Sequence, residues 1–326
     1  MILTGLLLLG LTGGSGAAQA ASDPLDLAPL AARNGLCSVT SVGFFGALTT
    51  VIAGGSAPAL HYRVGQGPWL DADVALNSPH SILRMPNGHW LINDTNNHRI
   101  VEMDDISGLG RNVVREQLAG IRLNRPHDQI LDPSTGYIYL IDGGRHLFRF
   151  KSLDGPIDTW TFESPREMDY ARALSWFDGK LHVIHSSRGE VWRIDDYDRR
   201  SYTVFRSPRP ANSAARSATP YRDFPAGALD MTGLVLNDVE KAGDWYYGTN
   251  FFTKTYAHGS DPSTARLIRW RTWHDFEKGH WQDMSASLPD GVVPYFLTVQ
   301  RGGVYIPYFR FEPEKGCAAG GVMLLE

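Results

Sequence analysis

Cysteine is scarce in this 326-residue sequence, which contains only two, and charged residues make up only 20% of it. Two cysteines exclude a disulfide-dense scaffold, and no CxxC metal or redox pair is present. The net charge of −4 gives no reason to expect nucleic acid or an anionic membrane as a partner. The sequence also lacks a Gly-rich phosphate loop, an HExxH helix and a recognisable Ser-His-Asp order. Oxidoreductases that use nicotinamide or flavin cofactors are therefore poorly supported.

A short apolar run lies at the N-terminus. Leu3 to Leu11 is mostly apolar, and small residues follow it up to Ala18-Gln19-Ala20, an A-x-A cleavage pattern. Such a run is too short to span a bilayer and is typical of a secretory signal peptide, although no Lys or Arg precedes it. We predict that residues 1–20 are a signal peptide and that the mature protein is secreted or periplasmic, with no membrane span after cleavage. An apolar N-terminal strand is the alternative.

Glycine, proline and aromatic residues are plentiful, with 34 Gly, 19 Pro, 9 Trp, 13 Tyr and 14 Phe. These residues favour a β-rich fold with many tight turns. Three similar segments, 78–104, 125–151 and 171–195, each contain an apolar strand, a Gly turn and two further alternating strands. Their starts are about 46 residues apart, which is the period of a four-stranded propeller blade.

Weaker copies complete the series. Residues 231–252 and 293–309 repeat the pattern, and the region upstream of residue 78 can supply one more unit. We therefore predict a single all-β domain over residues 21–326, a six-bladed β-propeller with four-stranded antiparallel blades. A β-sandwich is the alternative, but it would not produce so regular a repeat. The predicted blade starts are Pro79, Pro126, Arg172, Thr232 and Pro294, with a sixth blade from the N-terminal region.

The two cysteines, Cys37 and Cys317, lie near opposite ends of the mature chain. In an oxidising compartment, two such residues in a closed ring are expected to meet and tie the termini with a disulfide. Two buried free thiols are the alternative.

The segment from Asn93 to Ile100, which reads Asn-Asp-Thr-Asn-Asn-His-Arg-Ile, resembles an NHL repeat with its Asn-His-Arg turn. The copies that begin at Arg125 and Ala171 resemble it less closely. This resemblance implies a propeller of the group that contains interaction scaffolds, the peptidyl-hydroxyglycine amidating lyase and, more distantly, the paraoxonase and gluconolactonase-like enzymes.

Four polar residues stand at equivalent positions just before the innermost strand of four blades: His80, His127, Arg172 and Tyr295. Because the chain enters the innermost strand beside the channel of a propeller, we expect these side chains to converge on its axis. The alternative for each histidine is a structural role in which it caps carbonyls of a neighbouring blade. Asp94 and Asp142, which follow the second strands, are expected to be structural and to bond nearby backbone.

The resemblance to the amidating lyase implies a divalent metal held by histidines at the blade starts, with an Arg and a Tyr in the pocket. His80 and His127 match as metal ligands, and Arg172 and Tyr295 match as the catalytic polar pair. A third Pro-His is missing, so His185 is the substitute ligand for Zn²⁺.

The resemblance to the paraoxonases implies instead a His80–His98 base dyad above a Ca²⁺ ion. Ca²⁺ requires six or more oxygens, and only Asn237, Asp238 and Asn250 are loose candidates for them.

Two functions remain open from the sequence. The first is a metal-dependent lyase or hydrolase, with zinc or calcium, that acts on a small polar or peptide-terminal substrate in the central channel. The second is a non-catalytic extracytoplasmic propeller that binds a protein or glycan through its top loops. The segments Ser207–Phe224 and Thr253–Thr264 are the loops that could cover the pocket or bind a partner.

Overall fold

A computed structural model describes most of the chain after its N-terminal segment. The described residues are 24–143, 145–162, 171–186, 189–208, 234, 236–250, 266–289, 292–300, 302–312, 316–317 and 320–326.

The protein is a six-bladed β-propeller in which each blade is an antiparallel sheet made from one continuous stretch of chain. This confirms the predicted fold class. Blade 1 contains β1 (Val39–Phe45), β2 (Leu48–Ala53), β3 (Leu60–Val64) and β4 (Leu70–Asp71). Blade 2 contains β5 (Ile82–Arg84), β6 (Trp90–Asp94), β7 (Arg99–Met103) and β8 (Asn112–Arg115). A small hairpin of β9 (Gln117–Leu118) and β10 (Ile121–Arg122) connects blade 2 to blade 3.

The next three blades repeat this order from the innermost strand outward. Blade 3 contains β11 (Asp128–Leu131), β12 (Ile138–Ile141), β13 (His146–Phe150) and β14 (Ile157–Thr161). Blade 4 contains β15 (Ala171–Phe177), β16 (Lys180–His185), β17 (Glu190–Asp196) and β18 (Ser201–Arg206). Blade 5 contains β19 (Leu236–Ala242), β20 (Trp245–Asn250), β21 (Leu267–Trp270) and β22 (Gln282–Asp283).

Blade 6 has an innermost strand in two pieces, both of which pair with the same long strand. Its strands are β23 (Val292–Pro294), β24 (Thr298–Gln300), β25 (Gly303–Glu312), β26 (Gly316–Cys317) and β27 (Gly321–Leu325). The interruption between β23 and β24 contains Tyr295, one of the predicted site residues.

In the described part of the chain, two short α-helices accompany the blades. Helix α2 (Trp273–Lys278) begins at a capping box in which the Thr272 hydroxyl accepts a hydrogen bond from the Asp275 backbone N–H. Helix α1 (Ala28–Asn34), which the sequence analysis did not identify, buries Leu30 against blade 1 and ends at Gly35, whose φ is 61°. In the part of the chain that the structure describes, no helix is long and apolar enough to cross a membrane.

Apolar side chains between neighbouring blades form the core. Leu147 of blade 3, for example, lies in one cluster with Val183 and Trp192 of blade 4. Trp192 is among the largest fully buried side chains in the protein. A blade cannot bury both of its faces alone, so this packing between blades is what stabilises the ring.

The ring closes where blade 6 meets blade 1. The Phe296 backbone N–H donates to the carbonyl of Thr40 (3.3 Å), and the Thr298 hydroxyl donates to the carbonyl of Val42 (2.7 Å). The Gly320 N–H donates to the carbonyl of Leu36 (2.7 Å), which brings the C-terminal segment beside the residue that precedes Cys37. The Cys37–Cys317 disulfide stays a prediction.

Several predictions fall outside the described residues. They are the signal peptide, the blade start at Thr232 and nearly all of the loops Ser207–Phe224 and Thr253–Thr264. The innermost strand of blade 5 begins at Leu236.

Candidate functional site

The two Pro-His segments have the same local structure. In Asn77-Ser78-Pro79-His80, the residue before proline has a φ of 49°, and its counterpart Arg125 in the next blade has a φ of 51°. Each histidine then turns back on its own segment, because its Nδ1 is 2.9 Å from the Ser78 carbonyl oxygen in His80 and 2.7 Å from the Arg125 carbonyl oxygen in His127. The repeated sequence therefore produces a repeated side-chain orientation.

Two aspartates position these segments. An oxygen of Asp94 accepts a hydrogen bond from the Asn77 backbone (2.6 Å), and Asp142 accepts one from Asn124 (3.3 Å). Asp142 also accepts from the His146 backbone (3.3 Å). These bonds agree with the structural role predicted for both aspartates, and they hold the start of each Pro-His segment against the end of the second strand of its blade.

A β-bulge, and not a Pro-His segment, positions the Arg172 side chain. The pairing of β15 with β16 shifts register between Ala171 and Ala173, so that Arg172 is the extra residue of a β-bulge. A bulge re-aims the side chain that it carries. The same shift leaves Thr40 in blade 1 and Asn237 in blade 5 at the equivalent position. Asn237 is thus the residue of blade 5 that corresponds to Arg172, a position for which the sequence favoured Thr232.

The structure brings the four predicted residues together. The imidazole centroids of His80 and His127 are 4.8 Å apart, and the Tyr295 ring centroid is 5.6 Å from that of His80. The guanidinium carbon of Arg172 lies 5.1 Å from the Tyr295 ring centroid, and a guanidinium nitrogen donates a hydrogen bond to the phenolic oxygen. All four side chains are buried, with His80 the most exposed at 6%.

Hydrogen bonding fixes the tautomer of both imidazoles. A carbonyl oxygen can only accept, so Nδ1 of His80 and Nδ1 of His127 must each carry the proton. In a neutral imidazole the other nitrogen then holds a lone pair. Nε2 is therefore the basic atom of each ring.

Electrostatics keeps both rings neutral. The pKa of His80 is lowered to about 3, mainly by burial and then by the positive charge of Arg172. The pKa of His127 is held well below its ordinary value by burial first, and then by His80 and Arg172. Each ring is therefore a neutral base at physiological pH, beside a permanent positive charge that favours an anionic group.

The third predicted metal ligand, His185, lies against an aromatic side chain of its own blade. His185 ends β16 and is fully buried, and its ring packs against Trp192 with the centroids 5.1 Å apart. Among the described residues, no group of three or more His, Cys, Asp or Glu side chains could hold a metal ion.

A catalytic zinc site usually has three protein ligands. His80 and His127 would supply two, and the nearby Arg172 charge disfavours a cation. The residues that the structure describes do not fit such a site, so we derive no catalytic step through a metal.

His98, the proposed base partner of His80, has a structural contact instead. Its Nδ1 accepts a hydrogen bond from the Arg125 backbone (3.2 Å), and its own backbone is in the left-handed region with a φ of 55°. This contact connects the Asn-His-Arg turn of blade 2 to the start of blade 3.

A cavity of about 120 Å³ lies in the channel next to these four residues. We call it the acceptor cavity, and its lining residues are Ser41, Val42, Ser81, Ile82, Asp128, Gln129, Leu174, Asp238, Glu240, Phe296, Leu297 and Thr298. Ser81, Asp128 and Phe296 directly follow His80, His127 and Tyr295 in the chain. The Phe296 ring also contacts the site, with its centroid 6.2 Å from that of His80.

Two aspartates of the cavity connect neighbouring blades. Asp128 accepts from the Gln129 backbone and from the Leu174 backbone of the next blade, both at 2.8 Å. Asp238 repeats this arrangement, accepting from Val239 (2.8 Å) and from Leu297 of the next blade (2.7 Å). Both are therefore inter-blade ties.

Burial is the main influence on the carboxyl groups of the cavity. It raises the pKa of Asp128 to about 8, with a further contribution from the charge of Asp238, and it raises the pKa of Asp238 to about 7. Burial, followed by the charges of both aspartates, raises the pKa of Glu240 well above its usual range.

The sequence analysis missed Asp128 and Glu240 and considered Asp238 only as a loose calcium candidate. Asp128 directly follows His127, and that adjacency to a predicted site residue was the available signal.

No protein-family model and no curated protein matches the chain. The NHL resemblance therefore stays a prediction. Among solved structures, a structural-genomics protein assigned to the gluconolactonases is 10% identical with a TM-score of 0.58, and the match covers 89% of each chain.

Two further structures resemble the chain over most of its length. A catalytically inactive virginiamycin B lyase from Staphylococcus aureus, determined with quinupristin, is 11% identical with a TM-score of 0.54, covering 87% of this chain and 83% of that one. A chain of a nidogen–laminin complex is 12% identical with a TM-score of 0.50, covering 89% and 86%. At these identities the similarity shows the fold alone, and the chain is a six-bladed β-propeller similar to enzymes and to interaction modules.

Proposed function

We propose that the protein is a lyase or hydrolase that performs acid–base catalysis at the channel residues His80, His127, Arg172 and Tyr295. The observation that carries this proposal is the pair of imidazoles, 4.8 Å apart, each of which donates its Nδ1 proton to a carbonyl oxygen, beside the Arg172 guanidinium and the Tyr295 phenol. Burial and the Arg172 charge lower the pKa of both histidines, and the negative charge that develops on a substrate would raise it again, so that a neutral imidazole can accept the proton as the substrate becomes anionic.

Each residue has a distinct role in the proposed reaction. Nε2 of His127 or His80 accepts the proton, either from carbon in an elimination or from water in a hydrolysis. The Arg172 guanidinium stabilises the negative charge that develops on the substrate oxygen, since its charge is fixed and the site is buried. Tyr295 accepts a hydrogen bond from Arg172 at its phenolic oxygen, and in the proposed reaction its O–H donates the proton to the leaving group.

The charge of the site supports a class of substrate. A positive charge beside two neutral bases favours a small polar molecule or a peptide terminus with a carbonyl or carboxylate group. The lyase and the gluconolactonase-class protein among the similar structures support a search in two substrate groups, quinupristin-like molecules and sugar lactones.

The test is an activity screen with the purified mature protein on δ-gluconolactone and on quinupristin, followed by mass spectrometry. A hydrolase adds one water to the mass of its substrate, whereas a lyase product set has the mass of the substrate itself. We expect His127→Ala and His80→Ala to reduce turnover by about a hundredfold or more, the range of general acid–base contributions. The matched control is His182→Phe, a buried histidine on β16. Undiminished turnover in both channel variants would refute the proposal.

A second function has its own supporting observation. The four site residues are almost completely buried, as expected if they only satisfy one another and neighbouring backbone. In that case the protein is a binding propeller, comparable in fold to the chain of the nidogen–laminin complex. It predicts that His127→Ala lowers the unfolding free energy and that no screened substrate is converted.

A further inference from the structure

The described residues that line the acceptor cavity carry charge of only one sign. Among the described residues that line it, the charged ones are Asp128, Asp238 and Glu240, and none is lysine, arginine or histidine. The polar lining residues that remain are Ser41, Ser81, Gln129 and Thr298. Burial raises the pKa of all three carboxyl groups, so a cation in the cavity would be needed to keep them ionised, and in that form each of them is a pure acceptor.

Gln129 adds an independent observation. It is 95% buried, since only 5% of its surface is exposed, and its Oε1 has no hydrogen-bond partner among the described residues. Its Nε2 donates to the Leu91 carbonyl (2.9 Å), which can only accept, so the amide cannot be flipped without losing that bond. A buried amide oxygen without a donor is costly, and it indicates a group that is supplied from outside the chain.

Glu240 is the acidic residue best placed to receive a ligand. Both carboxylate oxygens of Asp128 and of Asp238 already accept backbone hydrogen bonds, one from the next residue of the same strand and one from the neighbouring blade. Glu240 lines the same cavity two residues beyond Asp238 on β19.

We propose that the acceptor cavity is a subsite for a primary ammonium group. An ammonium has three N–H donors and no acceptor, which complements Glu240, Gln129 Oε1 and the hydroxyl groups of the lining. A cation also keeps the facing carboxylates ionised and balances their mutual repulsion.

A metal ion is the less suitable occupant. Within the described residues, the acidic side chains do not form a group of three that could hold one metal ion. An ammonium needs only separate acceptors at ordinary hydrogen-bond distances, about 2.7–3.2 Å, and not ligands that converge within about 2.6 Å of one point.

The position of the acceptor cavity beside the proposed acid–base residues indicates a class of substrate. Because Asp128 and Phe296 directly follow His127 and Tyr295, the subsite adjoins the proposed acid–base residues. The substrate would be an amine-bearing molecule whose anionic or carbonyl group faces Arg172 while its ammonium group occupies the acceptor cavity. This assignment of substrate rests on the proposed function, whereas ammonium binding itself does not.

The test measures binding of ethylammonium chloride to the full mature chain by saturation-transfer NMR and isothermal titration. Sodium chloride at equal ionic strength and ethanol, a neutral molecule of similar size, are the reference ligands. We expect ethylammonium to bind and both references to fail. We expect Glu240→Gln, which leaves the inter-blade ties in place, to weaken binding at least tenfold. Asp154→Asn removes the same charge from an exposed aspartate of a surface ion pair and should bind like the wild type.

Three results would overturn the proposal. They are binding of ethanol as tight as that of ethylammonium, undiminished binding in Glu240→Gln, and displacement of ethylammonium by Ca²⁺ or Mg²⁺ at a lower concentration than its own. His127→Ala separates the two proposals. Ethylammonium binding that survives in this variant supports the subsite even if no turnover is found, and loss of binding there would contradict a separate subsite.

Discussion

His182 allows the energetics of the blade packing to be tested through pH. Its ring stacks on Phe177, with centroids 3.8 Å apart and planes inclined by 21°, and a second aromatic neighbour, Trp273, is 5.9 Å away. The histidine is 99% buried, and its pKa is lowered to about 3, mainly by burial. We expect His182→Phe to keep the aromatic stack while removing the titrating group.

The direction in which the unfolding free energy changes with pH follows from the difference in proton binding between the folded and the unfolded chain. An unfolded histidine has a pKa of about 6.5, so between about pH 6.5 and 3 the unfolded chain binds a proton that folded His182 does not. This histidine therefore costs the wild type stability as the pH falls through that window. At about pH 4.5, two units below the unfolded value, the loss is about 2–3 kcal/mol at 1.36 kcal/mol per unit.

The assay is urea unfolding of both proteins by circular dichroism at about pH 8 and at about pH 4.5. The stability difference between His182→Phe and the wild type should shift by about 2–3 kcal/mol in favour of the variant at the lower pH. Asp128 and Asp238 have raised pKa values, so they stabilise the folded chain as the pH falls. Both proteins contain these aspartates, and their contribution therefore cancels in the comparison. Replacement of His274, an exposed histidine on α2, controls for the loss of one imidazole. An unchanged stability difference between the two pH values would refute the packing argument.

Three further predictions follow from other parts of the ring. If Cys37 and Cys317 form the predicted disulfide, reductant should lower the unfolding free energy by about 4 kcal/mol, because the closed loop is very long, and equal melting with and without reductant would contradict it. Gly320→Ala should destabilise the closure of the ring by about 1–3 kcal/mol in urea unfolding, since a Cβ there would lie 2.8 Å from the Tyr308 carbonyl oxygen. Removal of divalent ions by a chelator should leave turnover unchanged, whereas a bound zinc whose removal abolishes turnover would support the three-histidine metal site.

The fold could be predicted from the sequence because the blade repeat is local. Each blade is one continuous segment whose turns and alternating strands are visible in about 46 residues. The convergence of His80, His127 and Tyr295 could be predicted for the same reason, since their positions repeat relative to the strand that follows each of them.

The other features of the fold and of the site depend on contacts that cannot be read from the repeated sequence pattern. The bulge that re-aims Arg172 also places Asn237 at the equivalent position in blade 5, and a register shift of one residue cannot be read from alternation alone. The inter-blade role of Asp128 depends on the backbone of Leu174, 46 residues away in the chain. Helix α1 is only seven residues long and depends on packing of its apolar face against blade 1.

The protonation state of the two channel imidazoles tests the proposed acid–base site most directly. Two-bond ¹H–¹⁵N NMR of the mature protein labelled at histidine, with His80→Gln and His127→Gln for assignment, reports which ring nitrogen carries the proton. The proposed site predicts that His80 and His127 are both neutral with the proton on Nδ1, and that His80 remains so down to about pH 5. An Nε2-protonated ring, or an imidazolium at neutral pH, would contradict it.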